Sequence, residues 1–280
     1  MEEIEIRKAL PGEVPVFIDR AAKEGWNPGI HDGECFYAVD PDGWFVASCG
    51  DMIIGTIVLT NYDEMFSFGG FFTIKEEFRH TGLGWRLWNS VRDHCGDRTL
   101  GIDGVYEMQD SYSKNSGFRF VYRNIRWEGR AGGSIDEGLV AAGDLPFAVI
   151  ADYDSLHFPA RREAFLEKWL NMPESTALAY TRRDGSLGGY GVIRRCVNGY
   201  KAGPLFADTP DIADKILGGL THTIRGETFY LDTPEINREA VKMAQKKGMT
   251  EVFGTARMYT GKIPELPAER IFGVTSFELG

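Results

Sequence analysis

The run Phe72-Thr73-Ile74-Lys75-Glu76-Glu77-Phe78-Arg79-His80-Thr81-Gly82-Leu83-Gly84-Trp85 combines residue types that can bind an anion. An aromatic and β-branched stretch ends there, two glycines one residue apart follow, and helical spacing begins with Leu83, Leu87, Trp88 and Val91. The first N–H groups of a helix have no intrahelical partner, and the helix dipole favours negative charge in front of them. Gly82 and Gly84 carry no side chain to hold a phosphate away from the backbone. The chemistry that suits Arg79–Gly84 is therefore diphosphate binding. No Lys-Ser/Thr pair follows, so this is not a Walker loop, and the dinucleotide fingerprint GxGxxG is absent. Glycines that merely pack a strand against a helix would read the same in isolation. The strand before them and the helix after them favour the anion site.

Other reactive residues form no pattern. The five histidines (His31, His80, His94, His157, His222) have no metal-ligand spacing, and only His80 falls inside the glycine-containing loop. The four cysteines are scattered without a CxxC pair, which suits reduced thiols and a cytoplasmic location. A formal charge of -10 speaks against nucleic acid, which needs a basic stripe; it suits solubility alone first, and a cationic or amine partner second. The acidic start Met1-Glu2-Glu3-Ile4-Glu5 has no signal-peptide character, and no apolar run reaches membrane-span length.

Alternating strand and helix patterns must position these residues. The first half predicts strands at Ile4–Arg7, Trp44–Ser48, Ile53–Thr60, Phe66–Ile74, Thr99–Val105 and Phe118–Trp127. Helices are predicted at Pro11–Gly25, Gly82–His94 and Tyr106–Ser116. Gly69-Gly70 inside a strand suggests a bulge or a close backbone approach. Glu128–Gly143 is polar and glycine-rich, a candidate linker, with pairing of part of it onto a sheet as the alternative. The second half repeats the order: strands at Phe147–Ala151, Thr176–Thr181, Gly189–Arg194, Tyr200–Phe206, Thr228–Leu231, Phe253–Tyr259 and Arg270–Phe277, with a helix at Pro159–Leu170. Two helix starts are predicted at Asp208-Thr209-Pro210-Asp211 and Asp232-Thr233-Pro234-Glu235, the second helix ending at Gly248.

The strand, Arg79-x-x-Gly82-x-Gly84 and the helix that follows resemble motif A of the GCN5-related N-acetyltransferases, from about residue 4 to 129. Gly189-Tyr190-Gly191 and Asn198–Asp208 are similar to a stretch in the second domain of the YitH-related tandem acetyltransferases. The resemblance implies an α/β (α+β) fold of two tandem domains, residues 1–135 and 145–280, each a mostly antiparallel mixed central sheet flanked by helices. It implies acetyl-CoA as cofactor and direct acetyl transfer to a primary amine, on a small molecule or a peptide or lysine. Phe72, Thr73 and Ile74 would pair with the pantetheine arm, and an N–H near Phe72 would polarise the thioester carbonyl. Arg79, His80, Thr81, Gly82, Leu83, Gly84 and Trp85 would hold the pyrophosphate. The strands Phe66–Ile74 and Thr99–Val105 would splay to admit the arm.

The family often supplies the acid for the leaving thiolate as a Tyr before Gly-Phe. Here Tyr112 stands one residue further from Gly117-Phe118 than usual. The position of the family's glutamate base aligns with Phe68, leaving Glu64, Glu76, Glu77, Asp103, Asp110 or a water chain as substitutes. In the second half, Gly203–Pro210 replaces the glycine loop with Pro and Asp, so no CoA is expected there; Asn237-Arg238-Glu239-Ala240 keeps the family's later helix. Trp26, Tyr37 and Tyr62 could line an acceptor pocket. A non-catalytic acyl-CoA-binding or regulatory protein is the competing reading, favoured by the missing base. Oligomeric state stays open.

Overall fold

The β-branched and aromatic runs form one sheet in the computed structural model, which describes residues 3–280. In chain order the first half contains β1 (Ile4–Lys8), α1 (Val14–Lys23), α2 (Asp32–Tyr37), β2 (Trp44–Cys49), β3 (Met52–Asn61) and β4 (Phe66–Ile74). It continues with α3 (Leu83–Cys95), β5 (Thr99–Gly104), α4 (Gln109–Ser116) and β6 (Arg119–Arg130). The second half contains β7 (Leu139–Ala141), α5 (Phe147–Asp154), α6 (Glu163–Trp169), β8 (Ser175–Thr181), β9 (Leu187–Arg195) and β10 (Tyr200–Ala207). It ends with α7 (Pro210–His222), β11 (Thr228–Pro234), α8 (Arg238–Lys246), β12 (Thr250–Tyr259) and β13 (Ile271–Gly273).

Both halves therefore run β-α-α-β-β-β-α-β-α-β, and β13 is an addition without a counterpart. In each, an antiparallel meander (β1–β4, β7–β10) is followed by a helix that crosses to a parallel strand, β5 beside β4 and β11 beside β10. The halves meet by exchanging their last strands. The sheet order is β1-β2-β3-β4-β5-β12-β6-β11-β10-β9-β8-β7, so β12 lies against β5 and β6 against β11. The hydrogen-bonded ladder does not break at the polar segment between the halves.

Packing reinforces the exchange. One core combines Phe17, Trp44 and Phe71 with Phe165, Trp169 and Phe277, and Phe36 of α2 stacks on Phe165 of α6 with ring centroids 5.0 Å apart. Separate cores lie under α3 and around α7 and α8. Three buried ion pairs each join the two halves: Asp32–Arg194, Arg126–Asp232 and Asp103–Arg257. Removing one partner from such a pair typically costs about 3–5 kcal/mol, because the other charge is left buried and alone.

Several sequence-based expectations need correction. Phe147–Ala151 is helical, within α5, and β7 takes the place of the opening strand. Such a short apolar run has no period that distinguishes strand from helix; here Ile150, Ala151 and Asp154 turn inward together at helical spacing. Thr233 and Pro234 end β11 opposite Ile125 and Asn124, and the next helix is capped by Asn237, whose side chain accepts from the Ala240 N–H. The Asp208–Asp211 start is observed, with Thr209 accepting from the Ile212 N–H and Pro210 opening α7. Arg270–Phe277 is a strand only over Ile271–Gly273. Of the candidate linker, Glu128–Arg130 belongs to β6 and Leu139–Ala141 to β7.

Candidate active site

The site lies where β4 and β5 separate. They pair in parallel from Phe66↔Thr99 to Gly69↔Ile102, and there the pairing stops. Beyond that point β5 pairs with β12, through Asp103↔Arg257 and Gly104↔Ala256, while β4 continues alone on this side. A cavity of about 830 Å³ opens in the resulting V, lined by Gly70–Ile74 on one side and Ile102–Val105 on the other. The V expected from the two strands is present.

A bulge shapes the β4 wall. Thr56 pairs with Thr73 and Val58 with Gly70, so Phe71 and Phe72 together face the single residue Ile57. Phe71 has φ 49°, a left-handed conformation that is costly for a bulky side chain. It is held by its surroundings. The Phe71 ring is buried 5.8 Å from that of Trp44 and 6.4 Å from that of Phe17. Its carbonyl accepts from Thr56 Oγ1 at 2.8 Å, Thr56 Oγ1 lies 2.7 Å from Thr73 Oγ1, and Arg20 Nε donates to Thr73 Oγ1 at 2.7 Å. Thr73 thus spends its side chain on the frame and offers only backbone to the cavity. Phe72 and Ile74 are half-buried and line the cavity.

The two glycines of the loop have different tasks. Gly82 is the N-cap of α3 with φ 85°, a conformation glycine adopts at no steric cost. Gly84 lies inside the helix, and a Cβ there would make ordinary contact, 3.5 Å from the Phe72 ring. No side chain caps α3, so its first amides are open to a ligand. Arg79, His80, Gly84 and Trp85 line the cavity mouth. Thr81 and Gly82 are exposed beside it, Thr81 Oγ1 donating to the Phe78 carbonyl at 2.7 Å. Leu83 is 2% exposed and anchors the helix start in the core. The Arg79 guanidinium binds Glu24 and the Ile74 carbonyl, which orders the loop from outside.

Tyr112 lines the opposite wall, its ring so close over Gly104 that a Cβ there would overlap it. Burial pushes its phenol up to about 12, so it holds its proton at neutral pH. Among the described residues its hydroxyl has no hydrogen-bond partner. The candidate bases fare worse. Glu64, Glu76, Glu77 and Asp110 are exposed and outside the cavity lining. Asp103 does line it, but Arg257 grips both its oxygens at 2.8 and 2.6 Å and Asn124 donates at 2.8 Å. Phe68 is fully buried beneath the Arg257 guanidinium.

Of the three aromatic candidates for an acceptor pocket, only Trp26 lines the cavity. Tyr37 packs on Trp44, and Tyr62 donates to the Leu279 carbonyl at 2.8 Å. The second half contributes four lining residues that carry no sequence signal for it: Phe253 and Thr255 of β12, and Phe277 and Glu278 of the C-terminal segment. They lie some 180 residues from the motif in sequence. Only the strand exchange brings them to the first half.

The second half carries an altered copy of this geometry. β10 has the same bulge: Ala202 pairs with Ile193 and Leu205 with Gly191, so Gly203 and Pro204 face Val192. Pro204 therefore stands where Phe72 stands in β4, and it has no N–H to donate. The V between β10 and β11 is filled by β13, which pairs with β10 at Leu205 and Phe206. Asn237 holds this filler, its Nδ2 donating to the Ile271 carbonyl at 2.9 Å. Among the described residues, no group of three or more His, Cys, Asp or Glu could hold a metal ion, and no helix is long and apolar enough to cross a membrane.

The chain is similar to known proteins. Residues 16–122 match the model of the acetyltransferase (GNAT) family, and residues 150–273 match a further acetyltransferase (GNAT) domain model. The chain is 29% identical over 265 residues to holothin acyltransferase of Pseudoalteromonas sp. (strain SANK 73390), covering 93% of this chain and 89% of that one. A crystal structure named "Putative Acetyltransferase" from Pyrococcus horikoshii superposes with a TM-score of 0.84 at 21% identity, over 100% of this chain and 97% of that one. A tandem GNAT protein from the clavulanic acid biosynthesis pathway superposes with a TM-score of 0.64 at 14% identity, over 94% and 100%. The structural likenesses establish the shared fold, and the two family models together span both halves: the chain belongs to the GCN5-related N-acetyltransferase superfamily of acyltransferases and has its domains in tandem.

Proposed function

We propose that this protein transfers an acetyl group from acetyl-CoA to a primary amine, by direct attack of the amine on the thioester, at the site in the first half. The observation that carries this reading is one continuous cavity that joins the uncapped start of α3, the β4 bulge at Phe71–Phe72 and the unbonded hydroxyl of Tyr112. The amides of Leu83–Trp85, with Arg79, His80 and Thr81 around them, hold the pyrophosphate. The backbone of Phe72, Thr73 and Ile74 pairs with the pantetheine arm, as β13 pairs with β10 in the second half. The Phe72 N–H, which has no counterpart at Pro204, polarises the thioester carbonyl. Tyr112 gives its proton to the departing sulfur.

A small amine suits the site better than a lysine in folded protein. The acceptor side is walled by Trp26, Phe253 and Phe277 and is continuous with the inter-half core. A relative named for holothin and a structural neighbour from the clavulanic acid pathway support a small-molecule acceptor. The units 1–135 and 145–280 then serve as a cofactor-binding half and a half that completes the acceptor pocket. The test is thiol release from acetyl-CoA with a panel of primary amines. Tight acetyl-CoA binding without turnover on any amine would establish the rival reading of a non-catalytic acyl-CoA binder.

A further inference from the structure

The cavity contains polar groups that the cofactor does not account for. Glu278 is among its lining residues, its side chain is 1% exposed, and neither carboxylate oxygen has a hydrogen-bond partner. Lys201 Nζ forms an ion pair with one of these oxygens at 3.9 Å, beyond hydrogen-bond reach, and is equally buried with no hydrogen bond of its own. Thr255 Oγ1, on the same lining, is also buried and unbonded. Buried polar atoms are nearly always satisfied, and a carboxylate with two empty acceptor oxygens is among the costliest exceptions. The other charges nearby are hydrogen-bonded as well as paired: Arg194 to Asp32 with bonds of 2.7 and 2.9 Å, and Arg126 to Asp232 with two of 2.7 Å.

The place of these groups is specific. A Cβ on Gly70 would overlap the Glu278 carbonyl oxygen, so the Glu278 backbone lies directly against the residue that precedes the β4 bulge. The segment that puts it there begins in β13, which fills the second half's own cleft. It continues through Thr275, held by Arg162 at 2.9 Å, and Leu279, held by Tyr62. One stretch of chain thus closes the altered cleft and walls the open one.

We propose that Glu278 supplies the carboxylate missing at Phe68: it receives the ammonium of the acceptor and takes its proton. This rests on the proposed acetyl transfer. A primary ammonium brings three N–H donors, enough for both Glu278 oxygens and Thr255 Oγ1. One ammonium proton passes to Glu278 and from there to solvent. The freed nitrogen lone pair forms the C–N bond, and collapse of the tetrahedral adduct breaks the C–S bond. The sulfur leaves with the Tyr112 proton, and the second N–H proton restores the phenol. The sum is amide, free thiol and one released proton.

The test uses full-length Glu278→Gln with two acceptors, a primary alkylamine that is an ammonium at neutral pH and an arylamine that is not. Glu278→Gln should keep acetyl-CoA affinity within about threefold and lower kcat/KM for the alkylamine about 100-fold or more, the range of general base catalysis. The arylamine, already deprotonated, should lose less than about tenfold, and Glu278→Asp should recover part of the alkylamine rate. Because Glu278→Gln strands the Lys201 charge, Glu278→Gln/Lys201→Met should give the same pattern from a neutral pair. Equal losses on both amines, no loss on either, or loss of acetyl-CoA binding would overturn the proposal. Failure of the unmodified protein to acetylate any amine would instead refute the proposed function, and this assignment with it.

Discussion

Replacing Gly84 by Asp separates stability from binding at the loop. Gly84 is the second residue of α3, and its φ is not among the left-handed values. A Cβ there meets the Phe72 ring at 3.5 Å and Ile74 Cγ1 at 3.8 Å, ordinary packing distances. Losing a helical glycine gains about 0.5 kcal/mol, and an acid in the first turn adds about 0.3–1 kcal/mol from the dipole. The apo protein should therefore be as stable as before, or more stable by about 1 kcal/mol. The same carboxylate occupies the amides that would hold the pyrophosphate. A like charge about 5 Å away at an effective dielectric of about 20 costs roughly 3 kcal/mol, about a hundredfold in affinity. Thermal melts should show an unchanged or higher apo midpoint and no shift with millimolar acetyl-CoA, and calorimetry should show the affinity loss. Gly84→Asp that still binds acetyl-CoA as tightly as the unmodified protein would remove the loop from the cofactor site. Gly82 is the poorer probe: its φ of 85° charges any other residue about 1–2 kcal/mol of backbone strain, mixing the two effects.

Tyr112→Phe should leave acetyl-CoA affinity unchanged and lower kcat about 100-fold or more, measured by thiol release; an unchanged kcat would free Tyr112 of the acid role. Thr56→Val removes the donor that holds the Phe71 carbonyl. A urea titration should show a loss of about 1–3 kcal/mol, and transfer should slow as the bulge relaxes; full activity would mean that the bulge holds without it. Burial alone would raise the Asp232 carboxyl, but Arg126 outweighs it and holds the group below the ordinary range. A carboxyl depressed on folding contributes stability above its unfolded pKa of about 4, and that contribution is lost as pH falls toward the folded value. Urea midpoints should therefore drop steeply below about pH 4, and Asp232→Asn should be less stable at pH 7 with a flatter acid limb.

Much of the fold was legible because its signals are local. Alternation within Phe66–Ile74, the Thr209-Pro210 start and Gly248 after Lys246-Lys247 act over a few residues, and the structure has them in place. The errors fell where a distant partner overrides a local preference. Thr233-Pro234 looks like a helix start, yet β6 claims both residues for the sheet. Asp32–Tyr37 carries little helical signal of its own, and its helix is fixed by Asp32 on Arg194 and Phe36 on Phe165.

The amino-acid sequence by itself determined the loop proposed to bind the pyrophosphate, since strand, glycines and helix start lie within thirteen residues of one another. It also supplied the expectation that the second half lacks one, because Asp208, Pro210 and Asp211 are read directly. Only the tertiary structure decided what surrounds the proposed thioester position. The left-handed φ of Phe71 is imposed by packing between Phe17 and Trp44, and no property of phenylalanine asks for it. Phe253, Thr255, Phe277 and Glu278 reach the cavity because β12 crosses into the first half and β13 occupies the second half's cleft. Contacts between residues some 200 positions apart depend on which strand wins each edge. That choice is made by the summed burial and hydrogen bonding of the whole sheet, which no local pattern records.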